Sequence, residues 1–585
     1  MSEPATAETS LPKDAAAALG MVNVQIDGVW HRFPKGTRMI EACRQAGVEV
    51  PHYCYHPKLS APGNCRMCLV QQGMPPRPAP GQEPQRDPQG YEPIGWMPRP
   101  VIACANTVTE NMGIRTTGDL VEGCRQGVME FLLINHPLDC PICDQAGECR
   151  LQEHSVEHGR GASRFVDAKV KKPKNVDIGP RIRLDDERCI LCSRCIRFMD
   201  EVAGDPVLGF TDRGTHTTLT VHPGRLLDSN YSLNTVDICP VGALTSNDFR
   251  FQMRVWFLKE TPTIDVNCGT GSNITVWTRG NTIHRITPRR NDEVNSCWMP
   301  DSHRLHFHYI DSEARLTEPL LRAADAARHA PCAWPEAIAQ AAARIREHAG
   351  AETAVVGSAR MTNEELHLLR RLADTIGAGH LALVPRLAES DGLLIAADRN
   401  PNSTGARMVL GTDNPFAALD AVRESVRAGK VKTLLVFGED LVSDAGFSAA
   451  DLAKPDFILQ SHLLANPTAD AAALVLPSAA FAEKRGSMVN LSGRLQRLNR
   501  AVEPPGGARD DWEILRDLIK ALGGDAAGLH LIEDVFRSLA ASVPALAGLT
   551  LSKIGHQGVP VLDTGYRIPL LENERAAKAA GRITG

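Results

Sequence analysis

The chain has 585 residues, 43% hydrophobic and 23% charged, with 64 lysines and arginines against 69 aspartates and glutamates for a formal charge of -5. At roughly 150 residues per domain that length predicts about four domains with sizeable cores, and the charge balance leaves no broad basic field for nucleic acid. No apolar run approaches the roughly 18 residues that cross a bilayer, so membrane contact is expected only through partners.

Residues 1–20, which contain Glu3, Glu8 and Asp14, lack an export or transit pattern and read as a disordered tail on a cytoplasmic protein. Sixteen cysteines follow, thirteen of them between Cys43 and Cys239, and without an export signal a reducing compartment favours metal ligation over disulfides. Residues 22–33 alternate apolar and polar around Asp27-Gly28, a dipeptide suited to a type I′ hairpin. A short helix over 37–46, stopped by Gly47, precedes the loop YCYHPKLSAPGNCRMC. The first donor set is Cys54-x10-Cys65-x2-Cys68-x35-Cys104. Three thiolates from one wrapped loop and a fourth from a distant strand suit a plant-type [2Fe–2S] cluster with a longer first gap, the alternative being a four-cysteine zinc site. Residues 74–100 hold nine prolines and are expected to form a surface insertion in a first domain at 21–115. Loop closure costs little more for a longer loop, so the insertion leaves the ligands in place.

A second module at 116–168 opens with a helix carrying Val121, Cys124, Val128, Phe131 and Leu132 on one face, and that helix must end before His136-Pro137. The second donor set is His136-x3-Cys140-x2-Cys143-x5-Cys149. Its three cysteines can cover three corners of a cubane. The fourth donor is either Cys124, on the apolar stripe of the helix, or His136, freed to turn by the proline after it. A third module at 169–260 holds Cys189-x2-Cys192-x2-Cys195-x43-Cys239-Pro240, a [4Fe–4S] pattern, with Arg188, Arg194 and Arg197 beside it as expected solvated side chains. Cys43, Cys124, Cys268, Cys297 and Cys332 are expected to remain free thiols.

Beyond the third module the pattern changes. A β-rich stretch at 261–325 leads into an α/β domain at 326–540, with a capping-box start at Thr362 to Glu365 and strands KVKTLLVFG, PDFILQ and AAALVLP of a parallel sheet. A C-terminal tail is expected at 541–585. There is no phosphate-cradling glycine loop and no paired nucleophile and base, so no catalytic residue is assigned.

CYHPKLSAPGNCRMCLV, FLLINHPLDCPICDQAGEC, CILCSRCIRF and DICPVGALT, in that order, closely resemble one family, the large iron–sulfur subunit of NADH-quinone oxidoreductase, respiratory complex I. The resemblance spans about residues 22–520. It implies an α+β fold of ferredoxin-like iron–sulfur modules, a β-grasp [2Fe–2S] domain followed by [4Fe–4S] modules, and then an α/β molybdopterin-oxidoreductase-like domain without its cofactor. It also implies the ligands: Cys54, Cys65, Cys68 and Cys104 for one [2Fe–2S] cluster, His136, Cys140, Cys143 and Cys149 for one [4Fe–4S] cluster, and Cys189, Cys192, Cys195 and Cys239 for another.

The implied role is a one-electron relay between an NADH/flavin-binding subunit and quinone-side iron–sulfur subunits of complex I, peripheral on the cytoplasmic side of a bacterial inner membrane. Some relatives carry a further [4Fe–4S] cluster, but the matching places here hold Asp265, Cys268, Ser272 and Pro300, and one thiolate cannot hold a cubane. Cys332 is a poor match for a molybdenum ligand, so no molybdenum cofactor is expected. The front end is also similar to NAD-linked formate dehydrogenases and iron-only hydrogenases, and a zinc-binding scaffold is a third alternative.

Overall fold

A computed structural model describes residues 20–584 except 79, 82, 84, 324, 325 and 327. The expected tail at 1–20 therefore lies, but for Gly20, outside the described residues. The chain forms two compact units, Met1–Trp256 with Asn573–Gly585, and Phe257–Glu572.

In the first unit, β1 (Met21–Ile26) and β2 (Val29–Pro34) form the expected hairpin, with Ile26 opposite Val29. Asp27 and Gly28 both take positive φ, 45° and 88°, as a type I′ turn requires. Strands β3 (Leu69–Met74), β4 (Gly95–Trp96) and β6 (Met112–Arg115) complete a mixed sheet of order β2-β1-β6-β3-β4, with β1 and β6 parallel. Between β4 and β6, β5 (Val101–Ile102) pairs with β3 and leads directly to Cys104. Helix Met39–Gln45 closes the core formed by Val24, Ile26, Met39, Ile40, Val70 and Ile114. Most described residues of the 74–100 insertion lie at the surface as expected, but its far end packs against the sheet. Its end adds β4 to the sheet, the Trp30 and Tyr91 rings stack at 4.0 Å, and the Arg115 guanidinium lies 3.9 Å from the Trp96 ring centre. Gly73 and Gly113 make room for this: a Cβ at either would meet the Ile94 side chain at 2.3 and 2.6 Å.

Helix Asp119–Leu133 ends before His136, as the proline requires. Its buried stripe is Val121, Arg125 and Met129, while Phe131, expected on the buried face, is 79% exposed. The stripe repeats every four residues, and Arg125 joins it by donating to the Leu69 carbonyl at 3.4 Å. In the third module, Leu191 and Ser193 sit at φ 55° and 59°, turning the chain twice within the cysteine triple before helix Arg194–Glu201 begins. Strand β7 (Ile182–Leu184) precedes the triple. Helix Asn234–Ile238 stops at Cys239-Pro240, and β8 (Leu244–Ser246) then pairs with β7.

The second unit begins with an antiparallel sheet, β9 (Lys259–Ile264), β10 (Asn273–Arg279) and β11 (Thr282–Pro288). Five parallel strands follow, β12 (Thr353–Ser358), β13 (His380–Val384), β14 (Thr433–Phe437), β15 (Phe457–His462) and β16 (Leu474–Pro477). They lie in the order β16-β15-β14-β12-β13, a doubly wound arrangement whose crossover direction reverses between β12 and β14. The expected capping box is formed: Thr362 Oγ1 accepts from Glu365 N at 3.2 Å, and Glu365 Oε2 accepts from Thr362 N at 2.7 Å. The expected C-terminal tail is corrected as well. Leu546, Leu551 and Ile554 enter the main core, Val559–Pro560 pairs with strand Arg494–Leu498, and Pro569–Ala579 is helical. Apolar residues spaced through that stretch supply the burial that a tail would lack.

Candidate metal centres

The first donor set converges from a loop and a strand. Cys54, Cys68 and Cys104 are at most 1% exposed and Cys65 is 9% exposed. Ala103 N donates to the Cys68 carbonyl at 3.0 Å, which brings the strand bearing Cys104 against the cysteine loop. The thiols are in mutual hydrogen-bond contact. Bonds from Cys104 and Cys65 pull Cys54 far below the ordinary thiol range, a bond from Cys104 lowers Cys68, and Cys65 and Cys104 are raised in turn. Four sulfurs that share protons this way can share an iron pair once the protons leave.

The second set surrounds one cavity of about 600 Å³, whose lining includes His136, Cys140, Cys143 and Cys149. Cys124, on helix Asp119–Leu133, is not in the lining. His136 Nδ1 is buried with no hydrogen-bond partner, and burial, with Arg188 and Lys169 nearby, pushes the imidazole down to about 4, leaving it neutral at physiological pH. A neutral ring with an unsatisfied buried nitrogen beside three cysteines is a competent metal donor, and the residues fit a four-donor cluster. Lys169 Nζ donates to the carbonyls of Leu133 and Ile134 at 2.8 and 2.9 Å, tying down the chain just before His136.

The third set, Cys189, Cys192, Cys195 and Cys239, is raised throughout by burial, with repulsion from the other cysteines of the set adding to it at Cys189, Cys195 and Cys239; Cys239 reaches about 11. Thiols this reluctant to ionise alone suit a site that supplies its own positive charge. The flanking arginines, expected in solvent, are instead structural. Arg188 is 3% exposed and pairs with Asp185 at 3.0 Å and Asp139 at 3.1 Å. Arg194 donates to the carbonyls of Ile238 at 3.1 Å and Tyr55 at 2.5 Å, and Arg197 donates to the Cys54 carbonyl at 2.6 Å and to that of Ser60. Backbone carbonyls left over by the irregular cysteine loops give the guanidinium groups partners they would otherwise seek in water.

The three sets are contiguous. One apolar cluster contains Cys54 and Cys65 from the first, Cys149 from the second and Cys192 from the third, packed with Tyr53, Met67, Met129 and Val241. A Cβ on Gly242 would lie 2.2 Å from Cys143 Sγ, so the segment after Cys239 walls the second set. The sequence carries no warning of Gly242, Lys169 or the buried Arg188, because their contacts are made across the fold.

In the second unit, a crevice at the carboxyl ends of the parallel strands is lined by Ser358, Arg360, Gly438, His462, Ser478 and Lys484, among others. It contains no cysteine, and Cys332 follows strand Ala330–Pro331 on the antiparallel edge of the sheet.

These donor sets on ferredoxin-like modules, with a doubly wound α/β domain after them, define an iron–sulfur protein of the molybdopterin-oxidoreductase type. Family models match in the same order: a 2Fe-2S iron-sulfur cluster binding domain over residues 20–119, the NADH-ubiquinone oxidoreductase-G iron-sulfur binding region over 125–164, the NADH-quinone oxidoreductase subunit 3 ferredoxin-like domain over 179–245, an NDSU1/NuoG-like 4Fe-4S domain over 258–308 and molybdopterin oxidoreductase over 395–521. The chain belongs to the family of the large iron–sulfur subunit of NADH-quinone oxidoreductase, NuoG, and its mitochondrial counterparts. It is 32% identical to the NADH-ubiquinone oxidoreductase 78 kDa subunit of Neurospora crassa, across 86% of this chain and 81% of that protein. The 78 kDa subunit of Candida albicans is 31% identical over 86% of this chain and 83% of its own length. The corresponding NADH-quinone oxidoreductase chain of Rickettsia conorii is 29% identical over 90% and 92%.

Proposed function

We propose that the chain is the electron-relay subunit of a respiratory NADH-quinone oxidoreductase, holding one [2Fe–2S] cluster on Cys54, Cys65, Cys68 and Cys104 and two [4Fe–4S] clusters on His136, Cys140, Cys143 and Cys149 and on Cys189, Cys192, Cys195 and Cys239. The observation that carries the assignment is the convergence of His136 and three cysteines on one cavity, with the imidazole nitrogen buried and unpartnered. Such clusters accept and release electrons singly. The protein's part is to hold the donors, exclude water and set the local charge. The apolar cluster around Tyr53, Met67, Met129 and Val241 insulates the donors, and the guanidinium groups of Arg188, Arg194 and Arg197 favour the more negative, reduced state. A neutral imidazole in place of a thiolate makes the second cluster less negative and favours its reduction.

The partners are the other subunits of the complex, those that take electrons from NADH through flavin and those that pass them to quinone. Among the described residues no helix is long and apolar enough to cross a membrane, in keeping with a peripheral subunit, and we place it on the cytoplasmic side of the bacterial inner membrane. The second unit serves as scaffold without molybdenum: its crevice offers no thiolate.

Metal analysis of the complex, followed by low-temperature paramagnetic resonance under reduction, tests all of this. About ten irons per chain and no molybdenum is the expected result. Stoichiometric molybdenum or tungsten would make the chain a formate-dehydrogenase-type catalytic subunit, and three zincs with no visible absorbance would make it a scaffold.

A further inference from the structure

Away from the three donor sets, the second unit buries a second kind of ligand cluster. Asp265, just beyond β9, Cys268, in the loop to β10, and His303, on the short helix Asp301–Arg304, each offer one donor atom, and the three atoms lie within 4.8 Å of one another. The residues are 2%, 1% and 8% exposed. His303 Nδ1 is 2.6 Å from Asp265 Oδ2, and the Cys268 thiol donates to the Leu394 carbonyl at 3.6 Å.

Four features make this more than a hydrogen-bonded pair beside a thiol. The donors are one sulfur, one imidazole nitrogen and one carboxylate oxygen, the mixture that borderline-soft zinc accepts with a fourth position left to water. Zinc bonds of about 2.0–2.3 Å put tetrahedral donors roughly 3.3–3.8 Å apart, a spacing that donors within 4.8 Å of one another reach by modest side-chain shifts, the 2.6 Å His303–Asp265 contact opening to admit the ion. Charge balances too. A thiolate and a carboxylate carry two negative charges, a divalent cation cancels both, and the result is a neutral group where an isolated anion is expensive. A cavity of about 260 Å³ is lined by chain neighbours of the donors, Asn267, between the Asp and the Cys, and His306, three residues beyond the His, which touch through His306 Nδ1 and Asn267 Oδ1 at 2.6 Å.

We propose that Asp265, Cys268 and His303 bind a single zinc-type divalent cation. Binding releases the Cys268 thiol proton to solvent, and a water takes the fourth position. The stretch falls within the residues matched by a 4Fe-4S domain model, yet it provides one thiolate where a cubane needs several donors. Mononuclear binding is what these three residues can support.

The test uses the full chain purified with its partner subunits, in preparations with full iron, after treatment with a weak chelator. The wild-type chain should retain one zinc, and Cys268→Ser and His303→Ala should each lose it while iron stays at the wild-type count. Replacement of zinc by cobalt should give a thiolate-to-metal charge-transfer band, absent in Cys268→Ser. A wild-type chain that holds no zinc when zinc is supplied, zinc that persists in both variants, or loss of about four irons from Cys268→Ser, the mark of a cluster, each overturns the proposal. If a variant fails to assemble, the cobalt spectrum of the wild-type chain decides, and a spectrum without the thiolate band overturns it.

Discussion

The Sγ of Cys149 lies 3.9 Å from the carbonyl oxygen of Pro240, the residue that follows Cys239. A donor of the second set thus touches the segment that supplies the last donor of the third. Arg150 N reaches the same carbonyl at 3.2 Å. Two cysteine loops separated in sequence share a backbone group.

His136→Ala removes the donor whose nitrogen is buried and unpartnered. It should abolish or reshape one [4Fe–4S] paramagnetic signal, lower iron by about four and leave the other signals in place. Cys124→Ser should change none of them. Resonance spectra of the reduced complex decide, and unchanged spectra for His136→Ala would move that iron to another donor.

Gly242→Ala places a methyl group 2.2 Å from Cys143 Sγ, a contact that forces the Cys143 side chain or the backbone to move. Overpacking of this kind costs about 1–3 kcal/mol. The variant should load less iron into the second set and melt at a lower temperature. Equal iron content and an unchanged melting point would show that the wall yields.

Arg188→Met leaves Asp185 and Asp139 without the guanidinium that lies 3.0 and 3.1 Å from them. Asp185 keeps Arg250 at 2.9 Å and Asp139 keeps Lys174 at 2.6 Å, so the stability loss should fall short of the about 3–5 kcal/mol that follows when a buried charge is left unpaired. The loss of a positive charge should also make the midpoint potentials of the second and third clusters more negative, measured by redox titration. Because Arg188 Nη1 also donates to the Gly242 carbonyl at 3.4 Å, the second cluster should show the change as well as the third.

Glu364 gives a pH signature in the second unit. Burial raises its carboxyl from 4.5 to about 7, against the opposing hydrogen bonds from Ser487 N and Oγ, both at 2.9 Å. The native state therefore holds this proton more tightly than the unfolded chain. Its contribution is fully present below about pH 4.5 and is lost as pH rises through about 7. The loss amounts to about 3 kcal/mol at pH 8. Glu364→Gln should remove that part of the slope, so the stability difference between variant and wild type should grow in the variant's favour from pH 5 to 8. Parallel unfolding curves across that range would exclude the effect.

Local spacing carried most of what the sequence revealed. The Asp27-Gly28 hairpin, the helix break at Pro137 and the Thr362 capping box each depend on residues a few positions apart, and each appears in the fold. Long-range contacts were invisible. Nothing in the 74–100 stretch announces that Ile94 and Trp96 fill the space left by Gly73 and Gly113. Phe131 lies on the exposed face because Arg125, polar by composition, takes a buried place through a carbonyl 56 residues away. The triad of Asp265, Cys268 and His303 joins residues up to 38 positions apart. Helical or strand periodicity has no way to encode that kind of meeting.

The wall that Gly242 gives to the second donor set has a consequence for how the chain is made. Gly242 is 93 residues downstream of Cys149. At about 5–20 residues per second, ribosomes need roughly 5–20 s to deliver it after the last cysteine of that set. Through that interval the cysteines of the second set lack the Gly242 wall, so their cavity is completed only once the later segment has been made and folded back.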